Sequence, residues 1–179
     1  MDDLESLSTA MAKSRLVISL LGPSITAWNT NRTLFADFYK SSVFPLMREH
    51  GVRCIFAMGT ISIYQPEDHW TLMRSATVSA IRIFANGAYQ NILNIADAFE
   101  QSADGLDWTV FRIAAIPGSD DEESWRRDRD DGEVFAGWVG ESGWTIAQTR
   151  GSLARWLVDA AENGAEEWMG KMPAVCKRG

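Results

Sequence analysis

Three continuous apolar runs organise this chain: Leu16-Val17-Ile18-Ser19-Leu20-Leu21, Cys54-Ile55-Phe56-Ala57-Met58 and Trp108-Thr109-Val110-Phe111-Arg112-Ile113. Their apolarity is unbroken rather than alternating, as a strand covered on both faces requires, and long stretches of helical period separate them. The pattern predicts a parallel α/β sheet. Asp3 is placed to cap a first helix over 4–13, with Leu4, Leu7 and Met11 along one face. Gly22-Pro23 ends the first strand, and a polar loop containing Asn29 and Asn31 leads into a helix over 33–50. Phe35, Phe38, Tyr39, Phe44, Leu46 and Met47 form its apolar side, and Pro45 within it should kink or divide it.

Gly51-Val52-Arg53 reads as a helix stop and the short connection of a parallel crossover. Beyond the second strand, Gly59-Thr60-Ile61-Ser62-Ile63-Tyr64 forms a loop, followed by helices over 68–84 and 87–101 and then by Gly105-Leu106-Asp107 at the third strand. The segment from Ser119 to Asp131 carries both charge signs and no hydrophobic period, so it reads as a solvated loop, or functionally as a substrate lid. Glu133-Val134-Phe135 and Trp144-Thr145-Ile146 look like short strands. A helix over 150–162 turns Leu153, Trp156, Leu157 and Ala160 inward, and 168–175 forms a last extended segment.

At 179 residues and 46% hydrophobic content the chain makes a single domain with a real core. Its parallel sheet is expected over 1–118, with a small substrate-side region over 119–179. A net charge of −7 excludes nonspecific nucleic-acid binding and adhesion to an anionic membrane. The two cysteines, Cys54 and Cys176, have neither the number nor the spacing of a disulfide framework or zinc site, which points to a reducing compartment. Met1-Asp2-Asp3-Leu4-Glu5 lacks the order of a signal peptide, and no apolar run approaches the ~20 residues of a membrane span. The expected location is the cytoplasm. His50 and His69 stand without companion ligands, so no metal site is expected, and His50 reads as a cation at a helix C-terminus. No Gly-x-Ser-x-Gly elbow supports a hydrolase. The eight tryptophans read as packing residues, with Trp28, Trp138 and Trp144 as candidates to flank an apolar pocket.

The string from Asp2 to Gly22 resembles the third helix and fourth strand of atypical short-chain dehydrogenase/reductases of the NmrA-like kind. Arg53-Cys54-Ile55-Phe56-Ala57-Met58-Gly59-Thr60 resembles that family's fifth strand, and Gly105-Leu106-Asp107-Trp108-Thr109-Val110-Phe111-Arg112 its sixth, which ends in arginine. The resemblance covers most of the chain to Arg112 and, more weakly, the helix over 150–161. It implies a partial Rossmann-like three-layer sheet, NADP or NAD as cofactor, and a small-molecule ligand. The strand-end loops Leu21-Gly22-Pro23 and Gly59-Thr60-Ile61, together with Arg112, are the implied cofactor contacts, and Tyr89 and Tyr64 the candidate catalytic residues.

Three departures from the family pattern shape the functional expectation. The glycine-rich loop that seats a pyrophosphate on a helix N-terminus has no counterpart in these 179 residues, and Gly118, Gly132, Gly137, Gly140 and Gly143 are spaced as turns. The implied chain is N-terminally truncated, lacking roughly the first three strands. The family's Tyr-x-x-x-Lys pair is broken as well, since Tyr89 is followed by Gln90, Asn91, Ile92 and Leu93, and aligning Tyr89 with the lysine puts Ala85 in place of the tyrosine. Arg112 is followed by Ile113-Ala114-Ala115-Ile116-Pro117-Gly118, where many relatives have proline directly after the arginine. Thr60, Ser62 and Tyr64 can line a pocket or serve as ordinary loop hydroxyls.

The expectation is a degenerate or truncated NAD(P)-binding protein with weak or absent cofactor binding. The alternative is an NADP-dependent oxidoreductase, or a lyase or isomerase of secondary metabolism, whose full-length form carries the glycine loop. In either case the strand at Leu16 becomes an exposed edge, through which a homodimer or another partner is expected to pair.

Overall fold

The computed structural model describes residues 3–24, 31–117, 119, 121–129 and 132–179; Met1, Asp2, Trp28, Asn29, Gly118 and Asp131 lie outside the described residues. Helix α1 (Leu4–Met11) begins at Asp3, whose carboxylate accepts the Ser6 N–H at 2.9 Å. Strand β1 (Leu16–Ser19) follows. The helix expected over 33–50 is divided into α2 (Leu34–Phe38), a π turn (Tyr39–Val43) and α3 (Phe44–Glu49). Pro45 explains the division. It has no N–H to donate and its ring crowds the carbonyl four residues back, so the turn widens ahead of it and the Phe44 N–H reaches Tyr39 O instead. Gly51, at φ 69°, stops α3 in a conformation that favours glycine, and Val52 N–H closes the turn on Met47 O at 2.9 Å.

Strand β2 (Cys54–Thr60) is followed by α4 (Leu72–Phe84), α5 (Asn86–Ser102) and β3 (Asp107–Ile113). Helix α4 starts later than the expected residue 68, because Thr71 is its cap, accepting the Arg74 N–H at 3.1 Å. The charged segment expected as a loop holds helix α6 (Glu122–Arg129). Asp121 accepts the Ser124 N–H at 2.8 Å and Arg126 pairs with Glu122 one turn back at 2.7 Å, while Ser152 Oγ ties Asp128 O to the next helix at 2.7 Å. Local capping and one buried seam thus replace a hydrophobic period.

Strand β4 (Val134–Gly137), helix α7 (Arg150–Asn163) and strand β5 (Ala174–Lys177) complete the chain. Trp144-Thr145-Ile146 is not a strand; a single bridge joins Ala115 to Ala147 instead. The expected extended segment over 168–175 begins inside a short 3-10 turn (Glu166–Trp168); Lys171 then bridges Thr109 in parallel, and the strand proper begins at Ala174.

The sheet runs in the order β1-β2-β3-β5-β4, parallel except for β4, which pairs antiparallel with β5. The region after 119 therefore supplies two strands and a covering helix to the same sheet. On one face, Ile55, Ala57 and Val110 meet Met11, Tyr39, Phe44, Met47, Ile92, Ile95 and Phe99 from α1, the π turn, α3 and α5. On the other, Phe56, Phe111, Ile113 and Val175 meet Leu153, Leu157 and Ala160 of α7. Alternate residues of β2 and β3 are thus apolar on both sides, which is why their sequence shows no alternation. Strand β1 is an edge, with Ile18 and Leu20 exposed.

Candidate functional site

The C-terminal ends of three parallel strands converge on one pocket, the position at which open α/β sheets take ligands. Gly22 and Pro23 follow β1, Thr60, Ile61 and Ser62 end and follow β2, and Ile113 and Ala114 end β3. Thr77 and Ile81 of α4, with Ala88, Tyr89 and Ile92 of α5, close the cavity of about 140 Å³, and Met58 completes its wall. A side chain at Gly22 would bring its Cβ within 3.1 Å of Met58 Cε, so glycine keeps that wall close. The polar groups are few. Thr60 Oγ1 accepts the Ser62 N–H at 3.2 Å, and Tyr89 lies in the first turn of α5, half-buried. Among the described residues no charged side chain lines the pocket, and Tyr89 is the one titratable side chain in its wall.

The structure thus brings together Gly22, Pro23, Thr60, Ile61 and Tyr89 of the residues singled out by sequence, with Ser62 beside them. Leu21 faces away, lining the groove along the open edge with Val17, Phe38 and Val43. Gly59 lies under the sheet surface, where a Cβ would meet Ile63 Cδ1 and Val110 Cγ1 at 2.8 Å, so its role is packing. Tyr64 is 61% exposed and outside the pocket, with the Arg74 guanidinium 5.4 Å from its ring centre. Arg74 itself donates to Ile61 O at 2.9 Å and Ile63 O at 3.4 Å, fastening α4 to the loop after β2. Leu93, one turn beyond Tyr89, packs against the core.

Arg112 does not face the pocket. Fully buried, it grips Asp68 through two hydrogen bonds, Nη1 to Oδ2 at 2.6 Å and Nη2 to Oδ1 at 2.7 Å. Its Nη1 also donates to Ile63 O at 2.8 Å and its Nε to Met172 O. Asp68 accepts two further N–H groups, from Gln65 at 3.0 Å and Val139 at 3.1 Å. Burial pushes the Asp68 carboxyl up, but the Arg112 hydrogen bonds and charge, with these two amides, hold it below the ordinary carboxylate range. Arg112 is thereby a strut between β3, the loop after β2 and the lead-in to β5.

An arginine inside an apolar strand must be paired, so its need for a partner was legible in sequence, whereas the choice of Asp68 was not. Ile92 was also within reach as a wall residue, lying one turn from Tyr89 on the same helix face. Thr77, Ile81, Met58 and Ile113 depend on tertiary approach and carried no local sign.

Trp138 packs beneath the Arg112 guanidinium and against Trp168, and Trp144 joins a cluster with Ile61, Val139 and Ala174. His50 caps α3, with Nε2 2.8 Å from Ser8 Oγ. Among the described residues, no group of three His, Cys, Asp or Glu is placed to hold a metal, and no helix is long and apolar enough to cross a membrane.

No family model matches the chain, and no curated protein sequence matches it. Solved structures do. A wide-type short-chain dehydrogenase/reductase from Veillonella parvula, in complex with NADP, is similar with a TM-score of 0.64 at 12% identity, over 99% of this chain and 70% of that one. An oxidoreductase from Lactococcus lactis gives a TM-score of 0.62 at 14% identity, over 97% of this chain and 67% of that one. A Rossmann-fold NAD(P)-binding family protein from Shigella flexneri gives 0.57 at 19% identity, over 99% and 67%. The fold is Rossmann-like. At these identities the likeness concerns the α/β architecture and its mostly parallel sheet.

Proposed function

We propose that this chain is an NAD(P)-binding Rossmann-like protein related to short-chain reductases, and that its pocket takes the uncharged, ring-bearing end of its ligand. The observation that carries this reading is the pocket itself, apolar, set at the strand ends and fringed by the hydroxyls of Thr60, Ser62 and Tyr89. A diphosphate needs free backbone N–H groups at a helix N-terminus or basic side chains. Among the described residues the pocket wall has no basic side chain, Arg112 is spent on Asp68, and Arg74 on backbone carbonyls. The described residues therefore suit a nicotinamide-sized group and not the diphosphate, so weak binding of the whole cofactor is the expected outcome. A cytoplasmic location is consistent with the two free cysteines, Cys54 and Cys176.

Calorimetric titration tests this. NADPH, NADH and reduced nicotinamide mononucleotide are expected to bind alike and with midpoints well above micromolar, because the diphosphate and adenosine add no contact. NADPH binding at least tenfold tighter than the mononucleotide would overturn the reading.

A second reading, an active NADP-dependent oxidoreductase, lyase or isomerase, is favoured by one observation: among the described residues Tyr89 is the sole titratable group in the wall and so the candidate to hold or give a proton. Turnover of aldehydes or enones that disappears in Tyr89→Phe with the fold intact would support it.

A further inference from the structure

Helix α4 packs on α5 and is pinned to the loop after β2 by Arg74, yet it buries none of its own residues. Leu72, Met73, Ile83 and Phe84 are between 57% and 80% exposed, as is Trp70 just before the helix. At ~100° per residue, Leu72, Met73, Ala76, Ala80, Ile83 and Phe84 fall within one outward arc of about 120° that holds no charge. The five large side chains leave on the order of 700 Å² in water, above the ~300–600 Å² of the largest patch on an ordinary monomer and near the ~800 Å² that each partner gives a standard interface.

We propose that two copies of this chain pair through α4, antiparallel about a two-fold axis at Val78. The arc is palindromic about that residue. Leu72 and Phe84 lie equally far from it, as do Met73 and Ile83, and Ala76 and Ala80. An antiparallel crossing sets each large side chain of one copy against a large one of the other, with the alanines where the helices approach to ~8–10 Å. A two-fold antiparallel pairing therefore sets apolar against apolar along the whole arc, as a self-complementary patch needs. A membrane surface would call for a basic polar face, whereas α4 has two arginines, one of them tied to backbone carbonyls, in a chain of net charge −7. The open edge of β1 is the rival surface, but it offers four paired residues and the exposed side chains of Ile18 and Leu20.

Sedimentation velocity on the full chain is expected to show a dimer at tens of micromolar, weakened roughly 100-fold or more by Ile83→Asp. Ile83 is exposed in the single copy, so the variant should keep its circular dichroism. Ser79→Cys, near the axis, should yield a disulfide-linked dimer under mild oxidation, and Asp159→Cys on the exposed side of α7 should not. The inference is overturned by a monomeric wild type at that concentration, whether or not it co-sediments with phosphatidylserine vesicles. It is equally overturned by a dimer that survives Ile83→Asp but dissociates in Leu20→Lys.

Discussion

Helices α4 and α5 share one crossover and look alike as apolar patterns, yet they end in opposite environments. Helix α5 buries Ala88, Asn91, Ile92, Ile95, Ala96, Ala98 and Phe99 against the sheet and α3, with Phe99 edge-on to Tyr39 and Phe44 at 4.9 and 5.0 Å. Helix α4, resting on α5 and touching the end of the sheet through Val78, has no fully buried residue of its own. An amphipathic stripe fixes which side of a helix seeks cover, but the layer below decides whether cover is found within the chain.

The largest expected effect breaks this contrast directly. Phe99→Ala should destabilise the fold by about 3–5 kcal/mol in urea unfolding, and Phe84→Ala, made alongside Ile83→Asp so that association does not contribute, by no more than about 0.5 kcal/mol. Equal losses would erase the distinction between the two helices.

The loop leading into α4 is anchored from below by the Arg112–Asp68 pair. Asp68→Asn leaves the Arg112 charge buried and unbalanced, at an expected cost of about 3–5 kcal/mol. The pH dependence has a definite sign. The Asp68 carboxyl is held below its ordinary value of 3.8, so its contribution is complete above that value and is lost as pH falls through the lowered folded value. Wild type should therefore show a steeper acid limb than Asp68→Asn, and parallel limbs would refute the assignment.

A smaller effect reports on the α5 side at high pH. Burial pushes the Tyr39 hydroxyl up to about 12, against a weaker opposing pull from its 2.6 Å hydrogen bond with Ser19. The folded chain then keeps a proton that the unfolded chain releases near 10, so stability should fall between pH 10 and 12, by about 2–3 kcal/mol. Tyr39→Phe should flatten that decline.

Much of the scaffold was legible because its signals are local. The runs at Leu16, Cys54 and Trp108 became neighbouring parallel strands, and Pro45 divided the helix in which it sits. The misses have equally physical causes. Helix α6 is nearly all charged, so its capping by Asp121 and its seam against Ser152 left no hydrophobic period to read. Asp68, read as the start of a helix, was claimed by an arginine whose strand position only the folded sheet brings near. At the pocket, the loop residues Gly22, Pro23, Thr60 and Ile61 followed from the rule that strand ends carry function, whereas Tyr64 and Gly59 were separated from it by the turn of the loop and the pleat of β2.

The Arg112–Asp68 pair also sets how the protein opens. Because one carboxylate holds the amides of Gln65 and Val139 while its arginine holds the carbonyls of Ile63 and Met172, stretches distant in sequence behave as a single cooperative unit. In heavy water those two amides should trade their protons at a common, slow pace, and the shelf beneath the pocket should stay shut until that whole unit lets go.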